Sequence, residues 1–323
     1  MHYSFLYPGQ GAQFPGMGRD LYDHSESVRS LFQLASDQVG FDVASLVFDG
    51  SEDDLKSTDN TQIAITVVNI AAARVLQEFN ITAERVAGFS LGEYAALVDA
   101  GVLDVRTVFP VVRARGQVME AASRALDGAD GPAGMTAVLG LGYDTVVSVL
   151  KGIPDAYPGI HNSPAQTVVS GTSVALTTAE AALKEAGARR IIRLKVSGPF
   201  HSPLMEQARS DFERELVSVT FADPHKPVYS NVTGKPVKSG DELKRLCVQQ
   251  LVSPVQWTET MTSMVADDVK GFAEVGPGTV LGGLWNAWLK TNPDVMLQCS
   301  AAGTLEQIES LVALERSRSV ISG

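Results

Sequence analysis

Residues 84–100 read Glu84-Arg85-Val86-Ala87-Gly88-Phe89-Ser90-Leu91-Gly92-Glu93-Tyr94-Ala95-Ala96-Leu97-Val98-Asp99-Ala100. Val86-Ala87-Gly88 has the character of the end of a buried strand, and Leu91, Tyr94, Ala95 and Leu97 are spaced for a helix that packs on a sheet. Between them lies Gly88-Phe89-Ser90-Leu91-Gly92, a G-x-S-x-G run. A serine on a sharp strand-to-helix turn is held in strained backbone geometry with its hydroxyl exposed, and flanking glycines leave room for the turn. There the Leu91 amide, at a helix N-terminus, can donate to an oxyanion. The competing reading is an ordinary strand–helix turn with a helix-capping serine.

The remaining 306 positions bound the setting. A chain of 323 residues, 45% hydrophobic and 20% charged, can bury a large core in one domain or two. No apolar stretch approaches the ~20 residues a membrane span requires, and no secretory signal is visible. Cys247 and Cys299 form no metal-ligand pattern and read as thiols in a reducing compartment, so a cytoplasmic location is expected. The net charge of −11 argues against nucleic acid as a partner, which needs a basic footprint. One basic cluster stands out: Lys184, Arg189, Arg190, Arg193 and Lys195. It reads either as a solvated face or as a local docking patch for an acidic partner.

Ser4–Tyr7 is expected as a short strand, Gln62–Glu78 as a buried helix and Val105–Ala122 as another. Residues 125–134 are rich in turn formers and break the pattern. Short elements follow: strand Met135–Leu139, helix Tyr143–Leu150, strand Gln166–Ser170, helix Val174–Ala186, strand Ile191–Val196. Short strands are expected again at Pro227–Ser230 and Gly271–Val275. An amphipathic helix is expected at Leu305–Leu314, followed by a loose tail. The fold class is α/β, with a small α+β insert.

A serine nucleophile needs a base. Of the five histidines, His2, His24, His161, His201 and His225, only His201 occupies a rigid loop after a strand end, among small and apolar neighbours. No acidic residue announces itself as a third member, and a main-chain carbonyl can fix the histidine tautomer as well. Arg115 could face the pocket and clamp a carboxylate, or lie on the surface.

Taken in order, these motifs resemble the malonyl-CoA:acyl carrier protein transacylase family of fatty acid and polyketide synthesis. The resemblance rests on Pro8-Gly9-Gln10-Gly11-Ala12-Gln13, Gly88–Glu93, Arg115-Gly116 with Met119, Asn162-Ser163-Pro164 with Gln166 and Ser170-Gly171, Pro199 with His201, Gln250 with Ser253–Trp257, and Glu274–Gly278. It implies a hydrolase-like parallel-sheet core (residues 1–130 and 197–323) with a ferredoxin-like inserted subdomain (131–196). It implies Ser90 as nucleophile, His201 as base, the Gln250 carbonyl as its anchor and the amides of Gln10 and Leu91 as oxyanion hole. Arg115 would pair with the malonyl carboxylate, and Met119, Phe89, Phe200 and Asn162 would contact substrate. Phe89 stands where the family often has histidine. Phe200 stands where family members that use methylmalonyl often carry a smaller residue. The implied partners are a coenzyme A thioester and an acyl carrier protein. The basic residues Arg189, Arg190, Arg193 and Lys195 are the docking candidate for an acidic carrier on grounds of charge, and Arg193 and Lys195, alternating with Ile192, Leu194 and Val196, are expected on one face of the strand. No metal or redox cofactor is called for, and a monomer is expected. The rival functions are a serine hydrolase or thioesterase, and a non-catalytic carrier-binding module.

Overall fold

Strands β1 (Tyr3–Tyr7) and β2 (Ala83–Gly88) lie parallel, with a register shift between Tyr3 and Ser4 and Tyr7 opposite Gly88. The loop after one and the Ser90 turn after the other therefore leave the sheet side by side. The structure, a computed structural model, describes residues 3–321, with side-chain surroundings to residue 317. His2 lies outside the described residues.

Among the described residues ten strands form two sheets. The larger, of six, has the order β10-β9-β1-β2-β7-β8, adding β7 (Val228–Tyr229), β8 (Pro236–Val237), β9 (Phe272–Glu274) and β10 (Cys299–Ala301). All its pairs are parallel except β7–β8. Every residue of β1 is buried, as expected for a parallel strand covered on both faces. The helix Thr58–Glu78 is buried along most of its length, so its apolar residues run all round it.

The smaller sheet is antiparallel, with order β4-β5-β3-β6: β3 (Gly134–Leu139), β4 (Ala156–Ser163), β5 (Gln166–Gly171) and β6 (Arg190–Arg193). The two-residue strand period divides its side chains. Val138 and Val169 join Val146, Leu150, Leu176 and Leu183 in a satellite core under the helices Tyr143–Leu150 and Ser173–Glu185. Met135, Ala137, Ile160 and Val168 face the main core.

Most expected elements form within a few residues of their places. Three strands are absent from the expected elements: β4, β8 and β10. In β4, Pro158, Gly159 and Asn162 are turn formers and the register shifts twice against β5, while β8 and β10 are only two and three residues long. β6 ends at Arg193, short of Val196, because Leu194 makes the last ladder bond, to the Met135 carbonyl (2.9 Å). Four helices lie between Arg19 and Lys56 where no element is expected, three of them seven residues or shorter. The last helix runs from Leu305 to Ile321 in place of a loose tail after Leu314. The Tyr3 hydroxyl donates to Glu315 (2.6 Å) and holds that continuation to the sheet.

The Ser90 turn needs a bare backbone where it crosses β1. A Cβ on Gly92 would meet the carbonyls of Tyr7 and Pro8, neither of which can move without breaking the sheet. Gly92→Ala should therefore destabilise the fold by about 3 kcal/mol, at the upper end of overpacking costs. Denaturant unfolding checks this, and a loss under about 1 kcal/mol would show that the turn relaxes freely.

Candidate active site

Ser90 has φ 50°, in the left-handed region that a non-glycine residue occupies at a cost of about 1–3 kcal/mol. Three polar contacts hold it there. The Ser90 amide donates to Asn231 Oδ1 (2.6 Å), Asn231 Nδ2 donates to the Gly88 carbonyl (2.6 Å), and Gln250 Nε2 donates to the Ser90 carbonyl (3.1 Å). His201 is also left-handed, at φ 59°. Its loop is pinned where Ser170 Oγ donates to the Phe200 carbonyl (2.5 Å) and Ser202 Oγ to the Pro199 carbonyl (2.6 Å).

Ser90 Oγ lies 2.8 Å from His201 Nε2, and His201 Nδ1 lies 2.9 Å from the Gln250 carbonyl oxygen. A carbonyl only accepts, so Nδ1 carries the hydrogen and Nε2 is left to accept from the serine. Burial lowers the His201 pKa to about 4; the nearby Arg115 charge acts the same way, and the Gln250 bond opposes both. The imidazole is therefore neutral and able to take a proton at physiological pH. His24 and His161 instead stack on Phe79 and Tyr143, and His225 lines a separate hollow with Arg74, Asp99 and Lys226. That hollow, about 440 Å³, is larger than the Ser90 cavity but reaches neither Ser90 nor His201.

Arg115, on the helix Val105–Arg124, is 1% exposed, which removes the surface reading. Its Nη1 donates to Gln62 Oε1 (2.8 Å), and its Nη2 to Gln250 Oε1 (2.9 Å) and towards Ser90 Oγ (3.4 Å). No carboxylate pairs with it directly among the described residues, and its Nε is buried without an acceptor. A buried cation without an anion in contact is costly, and an incoming carboxylate would relieve that cost.

Ser90, His201 and Arg115 open on one cavity of about 260 Å³. Gln10, Phe89, Met119, Asn162 and Phe200 line it too, with an apolar wall from the small sheet. Phe89 packs edge-on against Trp257, ring centres 5.2 Å apart. Asn162 Oδ1 is buried and unpartnered. The amides of Gln10 and Leu91 donate to nothing within the protein among the described residues.

The basic cluster is less uniform than its spacing implies. Arg189 and Arg190 are exposed and make no ion pair among the described residues. Arg193 is drawn onto the helix Ser173–Glu185, its Nε 3.0 Å from Glu180 Oε1. Leu194 and Val196 face the cavity. Arg193 is thus not a free charge, and Lys195 lies beyond the strand, not on a shared face of it.

Three residues that hold the site carry no role in the sequence reading: Gln62, Glu93 and Asn231. Gln62 and Glu93 had one signal, a polar side chain in a helix whose neighbours are apolar and buried. Asn231 had none, since it follows a strand of only two residues.

Among the described residues no group of three or more His, Cys, Asp or Glu side chains converges on a point. What does converge is a serine–histidine pair and a buried guanidinium, with Gln10 lining the same cavity, an arrangement suited to acyl transfer through a serine ester. The chain belongs to the acyl transferase domain family, whose model matches residues 4–320. It is 38% identical over 285 residues to the malonyl CoA-acyl carrier protein transacylase of Bacillus subtilis, covering 87% of this chain and 88% of that protein. It is 36% identical to the Synechocystis enzyme of the same name over 96% of this chain and all of that one. Among solved structures it resembles the malonyl CoA-acyl carrier protein transacylase of Clostridium perfringens (TM-score 0.92, 31% identity, 100% of this chain and 99% of that one). It also resembles a malonyl-transacylase in complex with its type II PKS acyl-carrier protein (TM-score 0.90, 34% identity, 97% and 99%).

The His201 environment fixes a pH dependence. The neutral base is present above its pKa of about 4 and is lost as pH falls through that value. Modification of Ser90 by an uncharged phosphonofluoridate should slow less than about threefold from pH 7 to pH 5. A histidine of ordinary pKa, ~6.5, would lose about 25-fold over that interval. An acid limb centred near 6.5 in the labelling rate would contradict the buried, neutral imidazole.

Proposed function

We propose that the protein transfers a malonyl group from malonyl-CoA to the phosphopantetheine thiol of an acyl carrier protein, through an ester on Ser90. The observation that carries this reading is Arg115, buried without a carboxylate and within 3.4 Å of the Ser90 oxygen. A hydrolase of neutral acyl groups has no use for that charge.

Ser90 Oγ attacks the thioester carbonyl while His201 Nε2 takes its proton. The developing oxyanion rests on the Gln10 and Leu91 amides, each worth ~3 kcal/mol in comparable sites. The tetrahedral adduct collapses, the C–S bond breaks, and His201 returns the proton to the departing CoA sulfur. In the second half the carrier thiol gives its proton to His201 and attacks the ester carbonyl; the bond from that carbon to Ser90 Oγ then breaks as His201 Nε2 returns the proton to Oγ. The Gln250 carbonyl holds Nδ1–H throughout and stabilises the imidazolium between transfers. Two half-reactions sharing one site give ping-pong kinetics. Phe200 narrows the space beside the malonyl methylene and favours malonyl over methylmalonyl. Phe89, unable to hydrogen-bond, closes the wall beside the acyl group, and Met119 and Asn162 complete the contacts.

The division into a hydrolase-like core (1–130 and 197–323) and a ferredoxin-like insert (131–196) belongs to the same reading. It is supported by the strand–helix–strand–strand–helix–strand order of the insert and its β4-β5-β3-β6 sheet. A cytoplasmic setting is supported by two unpaired cysteines, Cys247 being buried.

Intact-mass detection of the acyl-enzyme tests the function. Ser90→Ala should show no malonyl adduct, and an adduct in that variant would remove Ser90 as nucleophile. Arg115→Ala should cost malonyl-CoA loading roughly 2–5 kcal/mol, the worth of a buried charge-assisted pair, and acetyl-CoA loading little. Equal losses on both donors would show that Arg115 does not read the carboxylate.

Docking of the carrier is assigned to Arg189 and Arg190 at the start of β6, with Lys195 past its other end and Arg193 held back by Glu180. The chain carries −11, so an acidic carrier needs a local basic patch to approach. Reversing Arg189 and Arg190 to glutamate should raise the apparent KM for carrier protein several-fold, leave loading from malonyl-CoA unchanged, and matter less at high salt. Unaltered carrier kinetics would reduce the cluster to a solvated face.

A further inference from the structure

Glu93 is 1% exposed, lies in the first turn of the helix Gly92–Asp99, and does not line the Ser90 cavity. Its Oε1 accepts from the Asn231 amide (3.2 Å) and its Oε2 accepts from Gln250 Nε2. The same Gln250 amide presents Oε1 to Arg115 Nη2 (2.9 Å), while the Gln250 main-chain carbonyl holds His201. A buried acid is thus joined to a buried cation through one side-chain amide.

An amide can sit either way round, with oxygen and nitrogen exchanged. An ionised carboxylate only accepts, so it demands the NH2 end. With the amide reversed, its oxygen would oppose Glu93 and the Ser90 carbonyl, and its NH2 would oppose the guanidinium. Resting on the function proposed above, we infer that Glu93 is a positioning residue for acyl-group selection: it orients the Gln250 amide, and through it holds Arg115 aimed at a carboxylate-bearing acyl group.

Burial raises the Glu93 pKa to about 7, opposed by its bonds from Asn231 and Gln250 and by the Arg115 charge. The other groups facing it do not confuse the reading. Burial pushes Tyr94 and Cys247 up, and His201 is neutral down to about pH 4. A guanidinium keeps its charge throughout. Of these, only Glu93 changes charge between pH 6 and 8. Protonation adds a donor hydrogen and removes the demand for the NH2 end, so the aim of Arg115 is lost as pH falls through 7.

The experiment compares Ser90 loading by malonyl-CoA with loading by acetyl-CoA, followed by rapid quench and intact mass. Both donors carry the same CoA, so their rate ratio cancels effects on the CoA and on the Ser90–His201 pair. In the natural protein the malonyl/acetyl ratio should fall from pH 8 to pH 6, by up to about tenfold, the change in ionised fraction across a pKa near 7. In Glu93→Gln at pH 8 the ratio should fall at least fivefold and lose its pH dependence. Adding Gln250→Leu, which keeps the main-chain carbonyl, should lower it little further, because both changes remove the same relay. A merely structural role would slow both donors alike. A folded Glu93→Gln protein with an unchanged ratio overturns the inference. So does a flat ratio between pH 6 and 8 in the natural protein, which decides the matter if the variant does not fold. Failure of malonyl-CoA to load Ser90 at all would instead overturn the proposed function.

Discussion

The left-handed backbone at Ser90 is the constraint on which the rest of the site depends. It lifts the hydroxyl off the end of β2 and turns the chain into a helix whose first amide, on Leu91, is left without a partner. Serine does not adopt that geometry unaided, so the surroundings must enforce it. Asn231 and Gln250, from segments more than 140 residues away in the chain, hold the amide and the carbonyl of Ser90. The nucleophile is local in sequence, but its strain is supported by distant parts of the fold. Such a site forms only when β1, β2 and β7 are assembled, which couples competence for chemistry to completion of the large sheet.

Gln250 serves three demands with one residue. Its main-chain carbonyl fixes the His201 tautomer, its side-chain oxygen meets Arg115, and its side-chain nitrogen supports the Ser90 turn. His201, Arg115 and Ser90 are thereby indexed to one residue. The arrangement has an electrostatic price. Arg115 and Glu93 are both buried, and neither touches the other. Their attraction acts across an amide, which leaves the guanidinium with no anion in contact. A direct Arg115–Glu93 pair would have satisfied both charges and spent that attraction within the protein.

Much of the fold was legible because it is written in local pattern. The strand–Ser90–helix unit, the buried helix ending at Glu78 and the break near Gly131 each have a period or a cluster of turn formers behind them. The serine and histidine were legible for the same reason, since each sits at a junction between elements. β4 was not, because Pro158 and Gly159 are tolerated there by register shifts that only its neighbour β5 explains. Arg115 was legible as a candidate but not as buried, since helix periodicity places a residue on a face without saying what covers that face. Gln62, Glu93 and Asn231 matter through partners far away in the chain. No local pattern encodes an amide's orientation. Arg193 shows the converse: its charge was plain, but its neutralisation by Glu180 depends on how a helix packs across β6.

The small sheet does more than roof the cavity. Its apolar face supplies Met135, Ala137, Ile160 and Val168 to the wall, and the chain leaving β6 carries Leu194, Val196, Phe200 and His201 in turn. The cavity wall and the His201 imidazole thus ride on one segment of chain. Ser170 of β5 ties that segment down at the Phe200 carbonyl, one residue before the base. A substitution that reshapes the wall through β5 would therefore shift His201 as well. Changes confined to Phe200 or Phe89 side chains, which hold no backbone group, can alter the acyl fit and leave the Ser90–His201 distance intact. On this geometry, the shape of the cavity is separable from the Ser90–His201 pair at the aromatic wall and inseparable from it along β5.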